Sequence, residues 1–173
     1  MNFNMDFSYR KATIEEFKEI SQIYAAAQAY MAAQGNPQWA KGFPDENDIR
    51  GGIYGGILYC VITNSEIAAV FAAVNHDGNY EEIEGGWLTE GNYLAVHRVA
   101  VSEKYRGSGA AKFILNYAAE ELAHTRGRTS IRIDTHEMNK PMRTLLLSQG
   151  FTECGNVYIS RDYSKRIAYE KIL

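Results

Sequence analysis

The sequence predicts an α/β fold: one mixed, largely antiparallel central sheet with helices on both faces. Three observations carry this. The segments Ile57–Thr63 and Ile67–Asn75 are apolar at nearly every position, the pattern of strands buried on two faces. A helix-periodic segment separates the strand-like runs Tyr93–Val101 and Ser130–Asp134, as in two parallel strands joined by a crossover helix. The elements then read β, α, α, an antiparallel group and β-α-β-α-β-β, without repeats, linkers or low-complexity stretches. A chain of 173 residues, 46% of them hydrophobic, fits a single domain, 1–173, with a substantial core.

Each element has a local cause. Phe7–Ala12 alternates as a short strand, and Thr13-Ile14-Glu15-Glu16 supplies a capping box for a helix running to about Ala33. Its core stripe is Ile14, Phe17, Ile20, Tyr24, Ala27 and Met31, and Gly35-Asn36-Pro37 stops it. The loop Gln38–Pro44 carries two large aromatics, Trp39 and Phe43, which either line a pocket or plug the edge of the core. Asp45 caps a second helix to about Tyr54, ended by Gly55-Gly56. Asn64-Ser65-Glu66 joins the two apolar strands as a hairpin, and His76–Asn79 turns the chain into the acidic and aromatic stretch Tyr80–Leu88. After the crossover helix, Asn139 with Pro141 opens another helix and Gly150 caps it. Phe151–Cys154, Val157–Ser160 and Ile167–Ile172 are the closing strands.

Charge and composition exclude several classes. A net charge of −3 gives no basic footprint for nucleic acid. No stretch approaches the about 18 apolar residues of a membrane span, and Met1–Asp6 lacks the basic-then-apolar order of a signal peptide, so a cytoplasmic protein is expected. Cys60 and Cys154 then read as reduced thiols, Cys60 as a small buried hydrophobe.

The organising stretch is Tyr93–Glu120, where a strand gives way to the small-residue run Gly107-Ser108-Gly109-Ala110-Ala111 and then to a helix with a core stripe at Ala111, Ile114, Leu115, Ala118, Ala119 and Leu122. Glycine inside a helical turn costs about 1 kcal/mol relative to alanine. A helix start bare of side chains lets a phosphate reach the unpaired N–H groups, and Arg106 adds a planar cation beside them. The competing reading is a tight turn in which the glycines only permit unusual backbone angles. A Gly-x-x-x-x-Gly-Lys-Ser/Thr loop and the three-glycine dinucleotide spacing are both absent.

Arg106-Gly107-Ser108-Gly109-Ala110-Ala111, read as Arg-x-x-Gly-x-Ala after His97-Arg98-Val99-Ala100-Val101, resembles the acyl-CoA signature of the GNAT superfamily of N-acyltransferases. The strand Ile131–His136, Asn139 and the pair Gly150-Phe151 agree with that superfamily's spacing. The resemblance implies a GNAT-like fold and acetyl-CoA as cofactor. It implies backbone groups of Val99, Ala100 and Val101 on the pantetheine arm and thioester, the Arg106–Ala111 run on the pyrophosphate, and Asn139 on the cofactor's arm. The function it implies is N-acetyl transfer to a primary amine of an unidentified small molecule. A non-catalytic acyl-CoA-binding or sensor module and a protein N-terminal acetyltransferase are the alternatives, and a homodimer is the commonest assembly to expect. One departure stands out: where many members place a tyrosine acid seven residues after the asparagine, this chain has Leu146, leaving Tyr158, Tyr163 and Tyr169 as substitutes.

Acyl transfer to an amine needs a base, oxyanion donors and a proton source for the thiolate. His97, nine residues before Arg106, matches the offset of a proton-relay histidine in serotonin N-acetyltransferases, which this strand resembles; their companion histidine is Ala95 here. It is either a proton acceptor or a hydrogen-bonded strand histidine. Glu81, Glu82 and Glu84 either attract and deprotonate a cationic amine, with Glu82 and Glu84 on one face of a strand, or are simply solvated. Trp39, Phe43, Tyr80 and Trp87 would form an aromatic wall for the acceptor if they converge. Asp134-Thr135-His136 falls short of a metal site and reads as a structural or pocket-lining pair.

Overall fold

The computed structural model describes residues 5–173; the start of the Met1–Asp6 stretch lies outside the described residues. The strands are β1 (Ser8–Lys11), β2 (Leu58–Thr63), β3 (Glu66–Val74), β4 (Glu84–Gly85), β5 (Tyr93–Val101), β6 (Ser130–Thr135), β7 (Thr152–Ile159) and β8 (Ser164–Ile172). They form one sheet in the order β1-β2-β3-β5-β6-β8-β7-β4, in which only β5 and β6 run parallel. The predicted mixed, largely antiparallel sheet is the one observed.

Helices cover both faces, as expected from the doubly apolar β2 and β3. On one side α1 (Phe17–Ala33) and α2 (Glu46–Tyr54) pack Ile20, Tyr24 and Ile49 against Leu58, Cys60 and Val70. On the other, α3 (Ala110–Phe113), a π turn (Ile114–Ala118) and α4 (Ala119–Thr125) follow one another, beside α5 (Lys140–Ser148). Ile114, Leu115, Leu122 and Leu146 bury there against Val61, Phe71, Leu94 and Ile131. The Thr13 N–H donates to the Glu16 carboxylate at 2.9 Å, and Asp45 and Asp48 exchange backbone-to-carboxylate bonds of 2.9 Å at the start of α2. Asn64 and Ser65, at φ 50° and 62°, make the two-residue hairpin turn whose hand suits the strand twist. Cys60 and Cys154 are free thiols.

Two expectations on this framework change. The acidic segment is not a strand beyond Glu84–Gly85; Tyr80 instead ends a short 3-10 turn, Gly78–Tyr80. The predicted break between Phe151–Cys154 and Val157–Ser160 is bridged, because β7 absorbs a register shift between Glu153 and Gly155 and continues.

Two irregularities of β5 open the sheet. It pairs with β6 only through Tyr93, Leu94 and Ala95, after which the strands part, although β6 keeps its partner β8 up to Thr135. Arg98, at φ 55°, is an extra residue in the ladder with β3: Ala72 faces His97 and Val70 faces Ala100. One inserted residue exchanges the faces of everything after it. Hence Ala100 packs in the α1/α2 core, whereas Val99 and Val101 pack toward the α3 side. The Tyr24 hydroxyl holds the Arg98 carbonyl at 2.9 Å, and the Arg98 guanidinium reaches the Asp48 carbonyl at 3.1 Å.

Candidate active site

The gap beside the free half of β5 opens into a cavity of about 850 Å³. Its walls come from the end of α1 and the Pro37–Phe43 loop, from β3 and the His76–Asn79 turn, from Val96–Val99, from the end of β6 with Asn139, and from the β7–β8 hairpin. Gln38 ties these together. Its side-chain oxygen accepts from the Thr135 hydroxyl at 3.1 Å, the His136 N–H at 3.2 Å and the Asn139 amide at 3.0 Å.

His97 projects into this cavity between two carboxylates. Nε2 lies 2.9 Å from Asp77 Oδ2, close but out of line for a hydrogen bond, and Nδ1 lies 3.7 Å from Asp134 Oδ2. Asp77 is built into its turn: Oδ1 accepts the Asn79 backbone and side-chain N–H groups at 2.8 Å, and the Tyr93 hydroxyl accepts the Asp77 N–H at 3.0 Å. Burial pushes the Asp77 carboxyl up, but His97 and the Asn79 donors more than offset it, and the net direction is down. Behind the histidine, Tyr80 packs on the His97 ring and donates to Asp134 Oδ2 at 2.7 Å. Burial and Asp134 push the Tyr80 phenol well up, so it is a neutral donor. Burial, with the Arg166 charge added, lowers His136.

At the other end of β5 the chain turns through Gly107 (φ 74°) and Gly109 (φ 95°) into α3. The glycines therefore precede the helix instead of lying inside its first turn, and both are needed for left-handed backbone. No neighbouring atom stands within 4 Å of where a side chain would begin at either position. The Ser108 N–H is taken by the Tyr105 carbonyl at 3.1 Å and the Ala110 N–H leans on the Ser108 hydroxyl at 3.4 Å. Among the described residues, Gly107, Gly109 and Ala111 donate to no backbone carbonyl. Bare amides at a helix start are the donor set a pyrophosphate takes, and Arg106, exposed and stacked 4.0 Å over Tyr30, adds charge.

A model of the acetyltransferase (GNAT) family matches residues 19–151. This chain belongs to the GNAT acetyltransferase family. An acetyltransferase of that family from Streptococcus agalactiae 2603 is 33% identical, with a TM-score of 0.85 over 96% of this chain and 95% of its own. The uncharacterized N-acetyltransferase YesJ of Bacillus subtilis strain 168 is 27% identical over 126 residues, 71% of this chain and 69% of that protein. The PaiA N-acetyltransferase of Thermoplasma acidophilum, solved in complex with coenzyme A, shares the fold at a TM-score of 0.67 and 14% identity, over 98% of this chain and 100% of its own.

Within this GNAT domain the predicted residues fall into two groups. His97, Val99, Asn139, Trp39 and Phe43 line the cavity; Trp39 is also buried edge-on to Tyr24, so both of its readings hold. Ala100 and Val101 are core residues by their side chains. Glu82 and Glu84 do not line the cavity, a correction to their expected place: Glu82 precedes the two-residue edge strand β4 and Glu84 lies in it, both are exposed, and Glu84 accepts from the Tyr158 hydroxyl at 3.0 Å. Trp87 is likewise displaced. Its ring lies 5.1 Å from Tyr80, beneath Arg132 at 4.2 Å, and its Nε1 donates to the Tyr80 carbonyl at 2.9 Å. Leu146 is fully buried, Tyr163 is exposed and Tyr169 sits on Arg143 and Glu153, so none of the substitute tyrosines lines the cavity. Among the described residues no cluster of three or more metal-ligating side chains occurs, and no helix is long and apolar enough to cross a membrane.

Asp77, Gln38 and Arg166 were missed from sequence. Asp77 read as an ordinary turn residue and Gln38 as loop, and only the β3–β5 register and the parting of β5 from β6 bring them to the cavity that His97 lines.

Proposed function

We propose that this chain, as a single N-acetyltransferase domain, moves the acetyl group of acetyl-CoA directly to a primary amine of a small molecule. The supporting observation is that His97, bracketed by Asp77 and Asp134, lines the same cavity as the unpaired edge of β5. The amides of Gly107, Gly109 and Ala111, with Arg106, suit the pyrophosphate, and the related fold solved with coenzyme A supports that choice of cofactor. The free N–H and C=O groups from Val99 to Val101 suit the pantetheine arm and the thioester oxygen. Acetyl-CoA supplies an acyl group activated as a thioester. His97 takes a proton from the incoming ammonium, and Asp77 and Asp134 stand where the resulting charge forms. The amine's new C–N bond then replaces the C–S bond, and the sulfur leaves with a proton.

The test is release of free CoA with a panel of amines, comparing wild type with His97→Ala. The variant is expected to lose about 10²- to 10⁴-fold in kcat/KM while binding CoA unchanged. Silence of the wild type across amines, aminoglycosides, amino acids and peptide N-termini would overturn the reading. One observation favours a second reading, a non-catalytic acyl-CoA-binding module: the position of the usual acid is Leu146, buried in the core. Calorimetric CoA binding together with that silence would select it.

A further inference from the structure

Arg166 on β8 is a cation that the folded chain compensates poorly. It is buried, at 7% exposure, and lines the cavity. Its hydrogen bonds go to two backbone carbonyls, Gln38 at 3.1 Å and Lys165 at 3.3 Å. The nearest carboxylate contact is long, Nε to Asp134 Oδ1 at 3.9 Å, and the other oxygen of Asp134 already takes the Tyr80 hydroxyl at 2.7 Å. Asp162 acts only at longer range, its Oδ1 being occupied by the Ser164 N–H and hydroxyl. Burial is the largest influence on this guanidinium and draws it below its ordinary range despite both acids. Of the other cavity arginines, one is paired with a carboxylate and the other is only half-buried. Arg161 holds Asp48 with two bonds, 2.7 and 3.1 Å, and Arg98 reaches the Asp48 carbonyl while both flank Phe43.

A buried guanidinium without a close anion is costly unless a ligand completes it, and its planar fork matches a carboxylate. Arg166 and His97 each contact Asp134, at 3.9 and 3.7 Å, and both line the cavity, which brings the two groups within reach of one small molecule carrying an anion and an amine. The rest of the wall includes Met31, Val74, Val96, Ile133 and Ile159, apolar groups suited to a hydrocarbon side chain. From this juxtaposition we infer that the acceptor is an amino carboxylate, of the α-amino acid type, whose carboxylate is held by Arg166. The inference rests on the acetyl-transfer reading for the role of the amine at His97.

Calorimetry on the full chain saturated with coenzyme A tests it with matched pairs: L-leucine against isoamylamine, and L-phenylalanine against phenethylamine. Each amino acid is expected to bind about ten-fold or more tightly than its decarboxylated partner. Arg166→Gln erases that difference, and Arg166→Lys, which keeps the charge without the fork, restores part of it. Equal binding within both pairs, binding of neither member, or a preference that survives Arg166→Gln overturns the assignment. Should Arg166→Gln fail to fold, the wild-type pairs and Arg166→Lys still decide it. CoA release from acetyl-CoA is followed separately. A carboxylate preference without release from any member of the amine panel keeps this site and removes the acetyl-transfer reading, whereas release with equal use of both members does the reverse.

Discussion

The His97 imidazole stands between carboxylates that differ in how firmly they are held. Asp77 is fixed by the two Asn79 N–H groups that its Oδ1 accepts and by its own N–H donating to the Tyr93 hydroxyl, and its net downward shift keeps it ionised at neutral pH. Asp134 divides its contacts among Tyr80, His97 and Arg166. If Asp77 orients the ring and receives the charge that forms there, Asp77→Asn should lower kcat/KM by about 10- to 100-fold, the scale of losing an orienting partner. It should also move the acidic limb of the pH–rate profile while leaving coenzyme A binding alone. An unmoved profile would reduce Asp77 to a turn residue. The sequence offered His97 through its nine-residue offset from Arg106 and the resemblance that offset carries, but nothing in Asp77-Gly78-Asn79 marks an acid aimed at a distant ring.

At the scale of elements, β5 and the turn into α3 make a single device. The bulge at Arg98 re-aims the second half of the strand, and the left-handed Gly107 and Gly109 set the free amides at the start of α3. Gly109→Ala separates the two roles given to these glycines. With no neighbour within 4 Å of the new methyl, only backbone strain opposes it, about 1 kcal/mol. That corresponds to about 2–4 °C in Tm for a domain of this size. A rise in the Kd for coenzyme A beyond what that destabilisation explains supports the pyrophosphate site; a lowered Tm with unchanged binding leaves only the turn. The bounds of β5 and the cap at Asn139 were legible because they follow from local periodicity and capping chemistry. The bulge was not, since an apolar run gives the same pattern whichever way its faces alternate.

Across the whole molecule the far half of the sheet is held by one carboxylate. Glu170, fully buried on β8, accepts from Arg132 Nε at 3.0 Å, the Ser130 hydroxyl at 2.6 Å, the Thr89 hydroxyl at 2.5 Å and the Leu88 N–H at 2.6 Å. It thereby ties together β6, β8 and the segment that carries Trp87, whose Nε1 in turn holds the Tyr80 carbonyl. Burial raises its pKa, but the Ser130, Thr89 and Arg132 donors outweigh burial and the net shift is down. A depressed carboxylate stabilises fully above its unfolded value, about 4.3, and that stabilisation is lost as pH falls through the lower folded value. Urea unfolding should therefore show wild-type stability dropping as the medium is acidified below about pH 4. Glu170→Gln should start about 3 kcal/mol lower at pH 7 and depend less steeply on acid. Parallel curves for the two proteins would refute the clamp.

Sequence alone determined the α/β layering and the β5 strand, because each rests on side-chain periodicity, while it left the glycine run as either a helix start or a tight turn. Tertiary structure decided which side chains meet. Asp77, Gln38 and Arg166 line one cavity with His97 while Glu82, Glu84 and Trp87 stay outside, since strand register, a one-residue bulge and the parting of β5 from β6 shape that cavity and none of them leaves a mark in local pattern.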